Sequence, residues 1–530
     1  MPELPSGQAA RATRRPGARS LSRLRIRKRR IRGRRSSLGR LALALSAGAA
    51  LALAFPEADV GPLAWVALAP LLLLTRRAGP GRAFGLGLAF GIGFFGVLLA
   101  WISLIGWLAW CLLVGLQALF VAGFAWLWSW IARRLETVAR IAAAGVLWVT
   151  FEYLRSIVPL DGFTWGQLAQ SQHELSWLLR LAAVGGGWLV SFVVVGVNAL
   201  FAEAIAAIAE HRLRTAAACV AATAVTLVLP AVVPVAEVGE RGVRVAIVQG
   251  NIPPEADRLE LYTKELGIIR RHQRLTGRLA DRGIDLVVWP ESSVGLDLER
   301  VEPAGRAVAA AARAVDAPMI VGGNLDAGQD RYRVMAFEVS SEGEVVDRYQ
   351  KTHLVPFGEY VPARRLLGWA PGLEQVPRDA IAGSDPVVFD VAGGKVAPVI
   401  SFEGDFGSLV RQRIDGGGRL LVVATNTSTW GRSWASAQHL AFSQVRAAEN
   451  GVWVVHAALT GISGFVRPDG ALVAATPLWR GTTLVRDVSF AEDVTLYARL
   501  GDWVPLACVL GSVLAAARAA VGRRRTFRVA

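Results

Sequence analysis

"RYQKTHLVPFGEYVP" (348–362) begins as a short strand and breaks at Lys351 into a proline-punctuated loop that carries Glu359. A strand end that delivers an ammonium, followed closely by a carboxylate, is a place where chemistry can be built. Two other strand exits have the same character: "DLVVWPE" (285–291) stops at Glu291, and "APVISFEGDFG" (397–407) stops at Ser401, Phe402 and Glu403. A carboxylate, an ammonium and a hydroxyl from three strand ends would supply a base, an electrophilic stabiliser and an attacking atom. Taken singly, each is an ordinary solvated strand end. Only their convergence makes a site.

Around these exits, between 244 and 470, apolar β-rich runs such as "RVAIVQGN", "MIVGGN", "VMAFEV", "LLVVATN" and "VWVVHAA" alternate with helical patterns at 258–282, 302–315 and 435–449. Strands that are apolar throughout are buried on both faces. Two sheets covered by helices, an α/β layered fold, is the expected packing.

The rest of the 530-residue chain is of another kind: 53% of all residues are apolar and only 19% charged, a shift toward a membrane protein. Apolar stretches at 41–55, 61–74, 83–104, 106–132, 138–158, 177–206, 213–235 and 503–521 predict eight spans, the first two short for a bilayer. In "GLGLAFG" (85–91), Gly87 and Gly91 stand four apart, which predicts close helix packing. Eleven of the 18 tryptophans precede residue 190, as interfacial anchoring requires. Arginines cluster after the second, fourth, sixth and eighth spans (Arg76, Arg77 and Arg82; Arg133, Arg134 and Arg140; Arg212 and Arg214; Arg523, Arg524, Arg525 and Arg528). By the positive-inside rule the N-terminus is then cytoplasmic and the large polar domain lies outside. The expected organisation is a basic cytoplasmic tail (1–40), a seven-span membrane domain (41–235), an extracytoplasmic domain (236–501), an eighth span (502–521) and a second basic tail (522–530).

The net charge of +16 is concentrated in that first tail, where fourteen Arg and Lys face Glu3 alone. A tail held near anionic lipid accounts for it, and no nucleic-acid partner is expected. The run 41–51 followed by "ALA" (52–54) also fits a cleavable secretory signal; cleavage would leave the remaining topology unchanged. Cys111, Cys219 and Cys508 all lie in apolar runs, with no disulfide or metal spacing. No cofactor or metal is expected. In the loop after the fifth span, Glu152 and Arg155 are read either as a structural ion pair or as a lipid head-group contact.

"VQGNIP" (248–253), "VVWPESS" (287–293), "KTHLVPFGEYVP" (351–362) and "SFEGDF" (401–406) resemble the ordered motifs of the nitrilase (carbon-nitrogen hydrolase) superfamily and, more narrowly, those of the apolipoprotein N-acyltransferase family. The resemblance extends over nearly the whole chain, spans included. It implies an αββα sandwich on a polytopic helical membrane domain, in a bacterial plasma membrane, with the site on the outer side. The implied reaction is transfer of an acyl chain from a phospholipid to the N-terminal amine of a diacylglyceryl-cysteine lipoprotein, through an acyl-enzyme, by a monomer. Position by position, Glu291 matches the general base, Lys351 the oxyanion stabiliser, Glu359 a supporting carboxylate and Glu403 the acid two past the nucleophile.

Ser401 falls where the family has its cysteine, and Phe402 where a tyrosine is expected. A tryptophan is also expected a few residues after "QGNIP", where this chain reads "PEADRLE". A hydroxyl is far less acidic than a thiol, so a carboxylate is a poorer match as its base. Two rescues can be drawn: His353 as base, or a deprotonated Lys351, which would forfeit the oxyanion stabiliser. Two readings stand: an acyltransferase working through Ser401, or a catalytically impaired homologue serving as a lipoprotein- or lipid-binding accessory protein. "VPARRLLGWAPGLEQVP" (361–377) is expected to be a flap admitting acyl chains, and "TNTSTWGRS" (425–433) to line the pocket.

Overall fold

The computed structural model describes residues 37–234, 239, 242–252, 259–367 and 373–527. Six helices among them are long and apolar enough to cross a membrane: Pro80–Leu98 (α3), Trp107–Ala132 (α4), Thr137–Arg155 (α5), Ala182–Ala209 (α7), Leu213–Val232 (α8, whose last turn is 3-10) and the 503–520 part of Trp503–Phe527 (α15). The first two expected spans are shorter, Ser37–Ala52 (α1) and Gly61–Arg76. The latter is not one helix. A 3-10 turn, Gly61–Trp65, gives way to α2, Ala69–Arg76, with Pro70 in its first turn. Buried Asn198 of α7 bridges the break: its Oδ1 accepts from the amides of Leu68 (2.9 Å) and Ala69 (3.1 Å), and its Nδ2 donates to Ala64 O (2.8 Å). Backbone groups freed inside an apolar bundle must find such partners.

The glycines of α3 do what their spacing predicts. A Cβ on Gly87 or Gly91 would press into Ala118, Val121, Ala122 and Ala125 of α4. On another face, Gly93 lies against the Leu45 carbonyl of α1, and Gly48 of α1 against the Phe90 carbonyl. α7 is interrupted at Gly185 and Gly186 (φ +69°) and restarts at Gly187, whose amide donates to Glu449 at 2.8 Å. A single turn, Ser176–Leu179 (α6), precedes it.

The polar domain is a two-sheet sandwich, as expected. One sheet runs β13-β1-β2-β3-β4-β5, with β6 beside β4; the other runs β12-β11-β10-β9-β8-β7. The strands are β1 (Gly242–Gln249), β2 (Leu286–Val294), β3 (Met319–Asp326), β4 (Arg331–Val339), β5 (Val345–Gln350), β6 (Asp379–Ala380), β7 (Phe389–Val391), β8 (Gly394–Ile400), β9 (Leu420–Thr425), β10 (Trp453–Ala458), β11 (Gly464–Val466), β12 (Leu472–Ala475) and β13 (Thr482–Ser489). Val245, Ile247, Val288 and Ile320 of the first sheet meet Val396, Ile400, Val422 and Val455 of the second in a common core. Helices α9 (Leu261–Gly277) and α10 (Glu302–Val315) cover the first sheet. In α10, Ala304, Ala307, Val308, Ala311, Ala312 and Val315 form the inward stripe that a 3.6-residue period dictates.

Short α11 (Arg364–Leu367) precedes β6; α12 (Gly407–Asp415) and α13 (Ala435–Asn450) cover the second sheet, and α14 (Leu496–Leu500) leads into α15. Helix α13 is buried on nearly every face because its far side meets the membrane helices. Gln438 bonds Trp165 Nε1 (2.6 Å) and Pro56 O (2.8 Å), and Gln444 bonds His173 O (3.0 Å). The sandwich is thereby fixed to the bundle by polar contacts along one helix.

Candidate active site

Strands β1, β2 and β3 run parallel, as do β8, β9 and β10. β5, two antiparallel steps from β3, points the same way. Within each sheet, parallel strands deliver their C-terminal ends to one edge: Glu291 and Lys351 leave the first sheet there, Ser401 and Thr425 the second, and the Asn426 amide bonded to Glu291 joins the two edges. At two of these exits the chain turns through a left-handed residue, Ser401 at φ +53° and Ser292, beside Glu291, at φ +59°. For non-glycine residues that conformation costs about 1–2 kcal/mol, and it lifts the Ser401 side chain out of the β8 register.

Lys351 Nζ, fully buried, lies 2.6 Å from Glu359 Oε1 and 3.6 Å from Glu291 Oε1. Glu291 Oε2 accepts from the Asn426 amide at 2.8 Å, and Glu359 Oε2 from the Val355 amide at 2.7 Å. Burial raises the Glu291 pKa above the ordinary carboxylate range; Lys351 pulls it back, Glu359 pushes it further up, and the Ser401 hydroxyl is close enough to help hold the charge. Burial alone would lower the Lys351 pKa, but Glu359, Glu291 and Glu403 more than reverse it, and the group is held as an ammonium. A deprotonated Lys351 is therefore not the base here. Ser401 Oγ, 7% exposed as a residue, accepts a hydrogen bond from Thr425 Oγ1 at 3.4 Å.

Glu403 has a different place. Its Oε1 accepts from Tyr349 OH (2.6 Å), the Thr352 amide (2.9 Å) and hydroxyl (2.9 Å), and the His353 amide (3.1 Å); its Oε2 accepts from the Ile400 amide (2.9 Å). Arg413 of α12 lies 3.4 Å away and also bonds Tyr349. Burial pushes its pKa up, but Arg413, Lys351 and these donors outweigh it and hold the pKa below the usual range. Glu403 thus ties the end of β5, and with it Lys351, to the turn that carries Ser401.

The site faces the membrane bundle across an aromatic wall. Phe402 packs on Phe406 (ring centroids 5.2 Å apart) and meets Phe163 of the loop after α5 (6.2 Å). Behind them Trp165, Trp101 and Trp430 contact one another at 4.9–5.6 Å. The His353 ring lies against Phe406 at 4.4 Å, and no hydrogen bond joins it to Ser401. The aromatic loop is held by the charged pair flagged in the sequence, though not as expected. Arg155 donates to Phe163 O (2.9 Å) and Trp165 O (2.7 Å), while Glu152 accepts from the Leu168 amide (2.9 Å). Both side chains are buried, and both serve the loop backbone.

Sequence reasoning did not single out Phe163, Trp165, Tyr349 or Arg413, although each makes a contact more than 50 residues away that leaves no local pattern: Phe163 on Phe402, Trp165 on Gln438, Tyr349 on Glu403 and Arg413 on Tyr349. Of the stretch "PEADRLE" (254–260), where a tryptophan is expected, residues 254–258 lie outside the described residues, as does the centre of the expected flap, 368–372. Before that centre, Arg364 is tied to Asp379 (3.1 Å) and to Val376 O (2.8 Å). Asp59, His173 and Glu174 offer metal-type ligand atoms within 4.8 Å of one another, but His173 is engaged on both nitrogens, by Asp59 (2.9 Å) and Gln444 (2.7 Å).

Residues 47–200 match the apolipoprotein N-acyltransferase N-terminal domain, and residues 244–496 match the carbon-nitrogen hydrolase domain. Apolipoprotein N-acyltransferase from Geobacter metallireducens is 32% identical, over 90% of this chain and 94% of that one. Its counterpart from Gloeobacter violaceus is 31% identical, over 94% and 98%. A solved mutant of a nitrilase-superfamily amidase from Nesterenkonia AN1 is 20% identical, over 48% of this chain and 93% of that one, with a TM-score of 0.35. Near-complete coverage of both partners, through spans and sandwich alike, makes this chain a member of the bacterial apolipoprotein N-acyltransferase family, an acyltransferase built on the carbon-nitrogen hydrolase fold.

Proposed function

We propose that this protein transfers an acyl chain from a membrane phospholipid to the N-terminal amine of a diacylglyceryl-cysteine lipoprotein, with Ser401 as the acyl carrier. The observation that supports it is the convergence, at one end of the two-sheet sandwich, of Glu291, an ammonium held between two carboxylates, and a strained serine, all against an aromatic wall shared with the bundle. Glu291 takes the Ser401 proton as Oγ bonds to the ester carbonyl carbon. Lys351 faces the oxygen that becomes negative. The tetrahedral adduct expels the lysophospholipid alkoxide, which recovers the proton from Glu291. The neutral lipoprotein amine then attacks the Ser401 oxoester, passes a proton to Glu291, and the departing Ser401 oxygen takes that proton back. A raised Glu291 pKa suits this shuttling, because a base works best when its pKa lies near the operating pH. Glu359 steadies Lys351, Glu403 fixes the two strand ends together, and Phe402 forms part of the lipid-facing wall.

The eight-span arrangement belongs to the same proposal. α1 and the broken Gly61–Arg76 segment complete the six long helices, the sandwich (236–501) faces outward, and the protein works as a monomer. The test is the mass of the N-terminal lipopeptide of a lipoprotein incubated with protein and phospholipid. Ser401→Ala is expected to abolish the acyl mass increment, and Ser401→Cys to retain or raise it. Undiminished N-acylation by Ser401→Ala removes Ser401 from the mechanism.

A further inference from the structure

A carboxylate beside a serine does not by itself make a serviceable nucleophile, since the alkoxide is far more basic than a thiolate. Something must stabilise negative charge on Oγ. His353 makes no hydrogen bond to Ser401, and the Lys351 ammonium is engaged by Glu359 at 2.6 Å and faces Glu291 at 3.6 Å. The group that remains at Oγ is Thr425, the last residue of β9. It is fully buried, and its hydroxyl donates to Ser401 Oγ at 3.4 Å; among the described residues that is the only hydrogen bond its side chain makes. The next residue, Asn426, donates its amide to Glu291 at 2.8 Å. One strand end therefore serves both partners of the proton transfer: the Asn426 amide holds the acceptor carboxylate, and the Thr425 hydroxyl holds the oxygen that gives up the proton.

We propose that Thr425 is a catalytic residue, the hydrogen-bond donor that makes a serine competent at this nucleophile position. The inference rests on the acyl-Ser401 reading. With Thr425 donating to one lone pair, the Ser401 proton is left for Glu291. As it transfers and the Oγ–carbon bond forms, the Thr425 hydrogen bond shortens onto the growing negative charge. In the second half-reaction, when the amine–carbon bond forms and the Oγ–carbon bond breaks, the same oxygen departs with negative charge and the same hydroxyl receives it. Hydrogen bonds to charged oxygen in a dry site strengthen where the charge develops. Sulfur accepts hydrogen bonds weakly and forms its anion unaided, so the donor is expected to matter for Ser401 and scarcely at all for a cysteine in its place.

The experiment is single-turnover formation of acyl-Ser401 on the full-length protein in phospholipid micelles, followed by intact-protein mass. Thr425→Val, which keeps the shape and removes the hydroxyl, is expected to slow acylation about 100-fold with the KM for phospholipid unchanged. Thr425→Ser is expected to recover most of the rate. On a Ser401→Cys background, Thr425→Val is expected to cost less than about 5-fold, since sulfur is a weak acceptor. Equal slowing on both backgrounds assigns Thr425 to packing and overturns the inference, as does an unchanged rate with Ser401 in place. Absence of any acyl adduct on the unsubstituted protein overturns the acyl-Ser401 reading and this inference together, whereas an adduct formed at the same rate in Thr425→Val overturns this inference alone.

Discussion

Replacing Lys351 with methionine tests the electrostatics of the site most directly. The ammonium lies 2.6 Å from one carboxylate and 3.6 Å from another, and all three groups are mostly or wholly buried. At an effective dielectric of about 20 these distances correspond to attractions of about 6 and about 5 kcal/mol. Desolvating the three charges offsets much of that. The net loss on breaking such a buried cluster is about 3–5 kcal/mol. Lys351→Met leaves Glu291, whose pKa burial already raises and Lys351 alone among the nearby charges lowers, facing Glu359 with no cation between them, so Glu291 is expected to retain its proton at neutral pH. The sign of the pH dependence follows. Carboxylates whose folded-state pKa is raised above the unfolded value stabilise the protein at low pH, and that contribution is lost as pH rises through the folded value. Thermal unfolding in detergent should therefore show Lys351→Met well below the parent at pH 8 and closer to it at pH 5. Acyl-enzyme formation should fall by about 10³-fold or more, because the oxyanion partner is gone and Glu291 is protonated. A melting deficit that stays constant between pH 5 and 8, or acylation within tenfold of the parent, would refute the reasoning.

Two further outcomes bear on the scaffold. Glu338 of β4 stands opposite Asp347 of β5, and its pKa is pushed up to about 7 by burial, then by Asp347 and Asp390. Its protonated form is favoured in the fold, so stability is lost as pH rises from about 4.5 to about 7; after discounting for nearby solvent, Glu338→Gln should gain about 1 kcal/mol at pH 8 and almost nothing at pH 5, read from melting temperatures at the two pH values. In α3, Gly93→Ala would drive a methyl into the Leu45 carbonyl, whereas Gly85→Ala has open space; the first should cost about 1–3 kcal/mol by forcing α1 and α3 apart, the second should be neutral or mildly stabilising, and equal melting of the two would deny the tight α1–α3 contact.

What could be read in the sequence was whatever local pattern encodes. The strands around Val288, Val399 and Val422 are apolar because both their faces are buried, and their ends could be located because the apolar run stops where Glu291, Ser401 and Thr425 begin. The six helices long and apolar enough to cross a membrane were legible for the same reason; Ser37–Ala52 and Gly61–Arg76 are shorter, and in the latter apolarity continues but Pro70 interrupts the helix and Asn198, more than 120 residues away, satisfies the break. Long-range polar partners had no such trace: Arg413 on Tyr349, Gln438 on Trp165 and Glu449 on Gly187 are ordinary polar residues until the fold juxtaposes them. The serine is the instructive case between these extremes. Local sequence identifies it and, taken alone, argues against it, because no histidine lies in the motif to activate it. The answer proposed above comes from a different strand, whose terminal hydroxyl and following amide reach Ser401 and Glu291 respectively. A nucleophile's competence belongs to the field at its oxygen, and in a two-sheet sandwich that field is assembled from strand ends far apart in the chain.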